Sequence, residues 1–115
     1  MTKRVISFDF GGTLAKFSEE ENKLVPNLDT VISLREYADI GHEVIVISSG
    51  FDDELEDMWD FVNKYELPIS DIKVTNGERK GDTIAASNSF MHFDDDFNEI
   101  DSLEQSDTRG VLVNA

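Results

Sequence analysis

The chain contains no cysteine, which removes a disulfide framework and any zinc site built on thiolates. Basic residues are scarce as well: 10 Lys and Arg stand against 25 Asp and Glu, for a formal net charge of −15. Long nucleic-acid backbones and anionic membranes are bound by clustered Lys and Arg, so neither partner is expected. A small nucleotide or a metal ion is compatible with that charge. The acidic surplus equally suits a solubility or high-salt adaptation and carries no catalytic meaning by itself. No apolar run approaches the roughly twenty residues of a membrane span, and no secretory signal is seen, so a cytoplasmic location is expected. Internal repeats, low-complexity tracts and linkers are lacking too. Residues 1–115 therefore read as one domain, long enough to bury roughly two thirds of the surface its unfolded form exposes.

What is present is an alternation of apolar β-branched runs with segments of helical period, the pattern of a parallel sheet covered by helices on both faces. Val5 to Phe8 is the first strand. Leu28, Val31, Ile32, Leu34 and Ala38 trace a broad helical stripe that stops at Gly41, and Val44 to Ile47 follows as a continuous buried strand. Phe51 to Tyr65 repeats the unit, with Leu55, Met58, Trp59 and Val62 on one face as core, Asp52 and Asp53 near the N-terminus and Pro68 beyond the end. Ile72 to Val74 is a third strand, Thr75 to Gly81 a loop, and a short helix is expected from Asp82. Phe90 to Phe93 is a fourth strand, Asn98 to Leu103 a helical turn or more, and Gly110 to Val113 a short last strand. Between the first strand and the first helix, Ala15 to Val25 is polar, carries Glu19-Glu20-Glu21 and exceeds the usual few residues of such a loop. It reads either as a solvated excursion or as a flap over the end of the first strand.

In a parallel sheet with right-handed crossovers, all strand carboxyl ends open onto one edge, where ligands bind. The polar groups of this chain sit at those ends: Asp9 after the first strand, Ser48 and Ser49 after the second, Lys80 in the loop after the third, and Asp94, Asp95 and Asp96 after the fourth. Hard oxygen donors from Asp9 and the Asp94 to Asp96 cluster suit Mg²⁺, which would also offset repulsion between those carboxylates and an incoming phosphate. Ser48, Lys80 and the backbone N–H groups of the Gly11-Gly12 turn can hold phosphoryl oxygens during in-line attack, with Asp9 as the nucleophile that forms an aspartyl phosphate. Plainer readings stand beside these. Asp9 is then a strand-end cap, Ser48 or Ser49 the N-cap of the helix near Asp52, Lys80 a solvated surface lysine, and the three acids a solvated turn. Adjacent acids at one strand end repel unless a cation is near, which favours the metal. His92 reads as a packed strand residue and His42 as a loop residue.

Phe8-Asp9-Phe10-Gly11-Gly12-Thr13-Leu14 resembles the first signature of the haloacid dehalogenase superfamily, Asp-x-Asp-Gly-Thr-Leu or Val. Val44-Ile45-Val46-Ile47-Ser48-Ser49 is similar to the second motif of that family, Lys80-Gly81-Asp82 to the third and Phe93-Asp94-Asp95 to the acidic fourth. Their order and spacing agree over nearly the whole chain; the first and fourth are fairly specific, the second and third weak on their own. The resemblance implies an α/β fold: a Rossmann-like three-layer sandwich with a mostly parallel sheet of about five strands. Its site would use Asp9, Ser48 and Lys80 in catalysis and Gly12, Ser49 and Lys80 in substrate binding. Mg²⁺ would lie on Asp9, the backbone carbonyl of Gly11 and Asp95, with Asp94 the alternate ligand and Glu99 an outer partner. Large cap domains enter this family after the first or third strand, and neither place here has room for one. Ala15 to Val25 then resembles the short flap of capless members, whose open site suits a large substrate or a covering partner, either a second copy or another protein.

One position departs from the signature. Most phosphatases of the family carry a second Asp where this chain has Gly11, and that Asp protonates the leaving group and then activates water. Glycine offers only its carbonyl. General acid–base assistance is worth about 10² to 10⁴-fold, so metal binding is expected to survive where turnover is impaired, unless an acid such as one of Glu19 to Glu21 or a good leaving group compensates. The expectation is a Mg²⁺-dependent phosphatase of low or specialised activity, acting on small phosphate esters or nucleotides. The layout from Lys80 to Asp95 is similar to that of small nucleotidases and polynucleotide phosphatases. The alternative is an inactive relative that binds phosphate, metal or a protein. A dehalogenase or phosphonatase, branches that also lack the second Asp, fits less well without a cap.

Overall fold

A computed structural model describes residues 3–114. The central strand β1 (Val5–Phe8) leads into a turn and then a hairpin, β2 (Ala15–Ser18) and β3 (Lys23–Pro26), in which Phe17 stands opposite Leu24. This hairpin occupies the segment 15–25 that reads as either a solvated excursion or a flap, and it is the only insertion before the first helix among the described residues.

Helix α1 (Leu28–Asp39) starts after Asn27, whose backbone is extended, and ends where Gly41 takes φ +100°. Glycine adopts that conformation without steric penalty, and the turn closes with Gly41 N–H on the Ala38 carbonyl and His42 N–H on the Tyr37 carbonyl. The helix buries Thr30, Val31 and Leu34, but Leu28 and Ile32 are 69% and 56% exposed. The broad stripe expected from the sequence is thus too broad. Residues rotate by about 100° each along a helix, so a face centred between Val31, Leu34 and Ala38 turns Leu28 and Ile32 towards solvent.

Next come β4 (Glu43–Ser48), a 3₁₀ turn at Asp52–Glu54, α2 (Leu55–Lys64), β5 (Asp71–Val74), α3 (Gly81–Ala86), β6 (Ser89–Asp94), α4 (Phe97–Asp101) and β7 (Arg109–Leu112). The five main strands form one sheet in the order β5-β4-β1-β6-β7, and every pairing is parallel. Counted among themselves these strands run 3-2-1-4-5, so the chain winds outward from β1 through β4 and β5, then returns to the other side with β6 and β7. The order reverses between β1 and β6, which opens a crevice at their carboxyl ends. This is a Rossmann-like three-layer α/β fold without a large cap domain.

Alternation along each strand divides the sheet into two unlike faces. On one, Ile6, Phe8, Val44, Val46, Ile72 and Phe93 pack with Val31 and Leu34 of α1 and Met58, Phe61 and Val62 of α2. Phe8 lies stacked on Phe93, with ring centroids 4.5 Å apart. The other face carries a smaller apolar cluster, Ile45 and Ile47 with Ile84 of α3 and Leu103 beyond α4. Beside it, on β1 and β6, the same face presents Ser7, His92 and Asp94, all buried, in a register that sets Ser7 opposite His92. No described helix is long and apolar enough to cross a membrane.

Candidate functional site

The ladder between β1 and β6 continues one residue past β1, with Asp9 N–H on the Phe93 carbonyl at 2.8 Å. That bond brings the Asp9 side chain out at the crevice, at the floor of a cavity of about 720 Å³. Ser48 and Ser49 reach the cavity from the end of β4, Lys80 from the loop before α3, and Asp94 and Asp95 from the end of β6.

Lys80 is the hub. It is 3% exposed, and its Nζ donates to Asp9 Oδ1 at 2.7 Å and to Asp94 Oδ2 at 2.6 Å. Its backbone N–H is held by Glu99 Oε2 at 3.0 Å, while Arg79 Nε lies 2.7 Å from Glu99 Oε1. Glu99 therefore steadies the lysine loop from α4. Thr13 Oγ1 donates to Asp9 Oδ2 at 3.2 Å and lies 3.4 Å from Asp95 Oδ1. Asp94 is fully occupied: Oδ2 also faces His92 Nε2 at 2.9 Å, and Oδ1 accepts the Asp96 N–H at 3.0 Å. Asp96 in turn caps α4 by accepting from the Asn98 N–H.

These contacts shift the ionisable groups. Burial pushes Asp9 up to about 7, against the pull of Lys80 and with the help of Asp94. Burial works against the Lys80 ammonium too, but Asp9 and Asp94 on either side more than offset it, and its pKa stands above the usual lysine value. Asp94 is held below the usual carboxylate range because the donors His92 and Lys80 outweigh its burial. His92 is pushed down by burial, which outweighs the attraction of Asp94.

Asp9, Asp94 and Asp95 each offer a carboxylate oxygen within 4.8 Å of the others. Three hard donors at that spacing fit an oxygen-seeking divalent cation. Asp94 has both oxygens committed to protein donors, whereas Asp95 is half-buried and meets Thr13 alone. Asp9 is engaged as well, Oδ1 by Lys80 and Oδ2 by Thr13, so the oxygen left without a protein donor is on Asp95.

Of the residues singled out in the sequence, Asp9, Gly11, Ser48, Ser49, Lys80, Asp94 and Asp95 all line this cavity. Ser48 Oγ accepts the Gly50 N–H at 3.0 Å and keeps its own proton for a ligand. Neither serine caps α2, because the 3₁₀ turn precedes that helix and Phe51 N–H is taken by Glu54 Oε1 at 2.8 Å. Gly12 requires correction. Its N–H is spent on the Ala15 carbonyl at 2.8 Å to form the hairpin root, so it is not a phosphate donor. It has φ +80°, and a Cβ there would run into the Asp95 carboxylate; the glycine makes room for Asp95. Gly11 differs, since a Cβ would meet nothing within 4 Å. Glu19 to Glu21 also require correction: they lie exposed around the turn of the hairpin and do not line the cavity, so they supply no substitute acid to it.

His92, Thr13 and Arg79 belong to the site or its support and were not singled out for it. For His92 a signal existed. It lies two residues before Asp94 on a strand, hence on the same face. Arg79 carries no comparable pattern, because its partner Glu99 comes from α4, and the turn that folds Thr13 back onto Asp9 is visible only in the structure.

Fold and site together define a Rossmann-like α/β domain with an acidic, lysine-bridged pocket at its topological switch point. No protein-family model and no curated protein matches the sequence. Solved structures do match. A chain from a structure of the Pnkp1/Rnl/Hen1 RNA repair complex aligns with a TM-score of 0.81 at 20% identity, covering 97% of this chain and 42% of that one. A chain from a second structure of the Pnkp1/Rnl/Hen1 complex gives 0.80 at 19% identity, covering 97% and 46%. The chain spans less than half the length of the solved chains it matches, and the likeness is one of fold.

Proposed function

We propose that this protein is a Mg²⁺-dependent phosphoryl-transfer enzyme of the haloacid dehalogenase type, a slow phosphatase of small phosphate esters or nucleotides. The reading rests chiefly on one observation, the Lys80 ammonium held between Asp9 and Asp94 with Asp95 beside them in one cavity. In this reading a carboxylate oxygen of Asp9 attacks phosphorus, the bond to the leaving oxygen breaks, and water later hydrolyses the aspartyl phosphate. Lys80 holds Asp9 in place and lends positive charge to the phosphoryl oxygens. Ser48 donates its hydroxyl proton to one of them. Asp9 and Asp95 would hold Mg²⁺ with the Gly11 carbonyl, and the ion would supply charge neutralisation where carboxylates and phosphate meet.

The leaving oxygen needs a proton, and Gly11 has none to give. An activated ester, whose leaving group departs as an anion, evades that need, so the highest turnover belongs to such substrates. The surplus of acids suits a compact phosphate ester better than a long polyanion. Because chains of an RNA repair complex share the fold, 3′- and 5′-nucleotides and phosphorylated oligonucleotide ends belong in the substrate panel. The flap leaves the cavity open, which favours a second copy or another protein as its cover. A cytoplasmic setting accords with the lack of cysteine.

The open space at Gly11 favours a second reading, a binding module that retains the pocket without turnover. Mg²⁺-dependent phosphate release from an aryl phosphate and from that panel separates the two, with Asp9→Asn as background. Release above background supports the enzyme. Activity that emerges only in Gly11→Asp supports the binding module. A thermal midpoint unmoved by Mg²⁺ with beryllium fluoride would overturn both.

A further inference from the structure

His92 is wholly buried, does not line the cavity, and still ends on the carboxylate that anchors Lys80. We infer that His92 is a positioning residue, which fixes Asp94 so that Asp94 holds the Lys80 ammonium against Asp9. The inference rests on the proposed roles of Asp9 and Lys80, and its argument is a count of protons.

An ionised Asp94 only accepts hydrogen bonds, and Lys80 only donates. The short contact between His92 Nε2 and Asp94 Oδ2 therefore requires the ring proton on Nε2. In a neutral imidazole Nδ1 is then an acceptor, and Ser7 Oγ stands 2.7 Å from it. Ser7 must give its proton to Nδ1, which leaves its oxygen free to accept. Ser89 Oγ lies 2.7 Å from Ser7 Oγ and 2.8 Å from the Met91 carbonyl, and its single proton is shared between those two acceptors. Thr108 Oγ1 donates to the Ser89 carbonyl at 2.7 Å and ties in the segment before β7. Every bond has one direction: from Ser7 to His92, from His92 to Asp94, and from Lys80 to both Asp94 and Asp9.

Packing alone does not account for this arrangement. The neighbouring strand on the same face is filled by Ile45 and Ile47, and burying an imidazole and two hydroxyls beside them costs free energy unless each finds a partner. Each does, and the chain of partners ends at the site. With His92 removed, Asp94 Oδ2 would keep Lys80 as its one side-chain donor, and the Asp94 side chain could turn about the Asp96 N–H. Lys80 would follow it and release Asp9. Residues that orient a ligand or an active group in this way are worth about 10 to 100-fold in activity or metal affinity.

Three variants test it: His92→Gln, which keeps an N–H donor near Nε2; His92→Leu, which keeps bulk without the donor; and Ser7→Ala, which removes the partner of Nδ1. The readouts are the ring tautomer by ¹⁵N NMR on the protein without ligand, the thermal shift with Mg²⁺ and beryllium fluoride, and kcat and KM on an aryl phosphate. Expected are an Nε2–H tautomer in the wild type, a loss of about 10 to 100-fold in kcat with a smaller change in KM for His92→Leu, and recovery of most of it in His92→Gln. Ser7→Ala should move kcat in the same direction by less. Should His92→Leu fail to fold, the ratio of His92→Gln to Ser7→Ala and the tautomer decide the matter. An Nδ1–H tautomer, or wild-type kcat and thermal shift in His92→Leu, would overturn the inference. So would a His92→Gln variant that folds but is as impaired as His92→Leu. A wild type without thermal shift or turnover would instead sink the phosphoryl-transfer reading, while the tautomer would still report on His92.

Discussion

The central strand shows the contrast between the two faces of the sheet within four residues. Ile6 and Phe8 point into an apolar core shared with α1 and α2, whereas Ser7 and Asp9 point the other way, into a chain of hydrogen bonds shared with β6 and Lys80. The first face is held by burial and packing, which are non-directional and tolerate any well-fitting apolar neighbour. The second is held by directed contacts, each of which leaves an unpaired polar group if its partner is lost. Close apolar packing and the polar pocket are thereby placed on opposite sides of one strand. A substitution on the α1 and α2 face should lower stability and leave the pocket of the folded protein intact. One on the β6 and Lys80 side should disturb the pocket, with a stability cost set by the buried polar groups it leaves unpaired.

Asp9→Asn is the strongest test of that separation. It removes the proposed nucleophile and should lower aryl phosphate turnover by at least about 10³-fold, with cooperative unfolding retained. A folded variant with wild-type turnover would show that the phosphoryl acceptor lies elsewhere. Gly11→Asp works in the opposite direction on the same side. The position has room for a side chain, so restoring an acid should raise kcat by about 10² to 10⁴-fold on esters with poor leaving groups and much less on activated ones. An equal gain on both would show that proton donation is not what the glycine withholds.

Phe8→Ala probes the other face. Phe8 is fully buried and stacked on Phe93, and its truncation should cost about 3 to 5 kcal/mol in urea unfolding. The thermal shift with Mg²⁺ and beryllium fluoride should persist well below the new midpoint. Its loss there would mean that the two faces are coupled.

The smallest effect is a pH dependence. With Asp9 raised from 3.8 to about 7, the native protein keeps a proton between those values that the unfolded chain has lost. Asp9 therefore adds stability at the acid end of that window, and the contribution is lost as pH rises through about 7. The stability difference between wild type and Asp9→Asn should fall by up to about 1.4 kcal/mol per pH unit across it. A flat difference would show that Asp9 is ionised throughout. Mg²⁺ competes with the same proton, so its apparent affinity should weaken by up to about tenfold per unit below pH 7, read as the Mg²⁺ concentration needed for half the thermal shift.

Much of this was legible in the residues. Val5 to Phe8, Val44 to Ile47 and Phe90 to Phe93 fall within observed strands, and the elements between them lie within a few residues of their expected bounds. The placement of Asp9, Ser48, Lys80 and Asp95 around one cavity follows from strand order, since strand ends of a parallel sheet share an edge. Leu28 and Ile32 were misread because hydrophobicity alone does not say which side of a helix meets the sheet. Gly12 was misread because a glycine in a turn looks the same whether its N–H faces a ligand or a carbonyl three residues on.

The sequence by itself determined the alternation of strands and helices, the edge at which polar residues gather and the absence of an acid at position 11. Those properties reside in local periodicity and residue identity, which neighbouring residues encode. Only the tertiary structure decided that Lys80 joins Asp9 and Asp94, that His92 stands behind Asp94, and that Asp95 keeps the free oxygen. Those contacts join residues as far apart as Asp9 and Lys80, 71 positions along the chain, or Ser7 and His92, 85 positions apart. Their geometry is set by strand register and burial, which no short stretch of sequence contains.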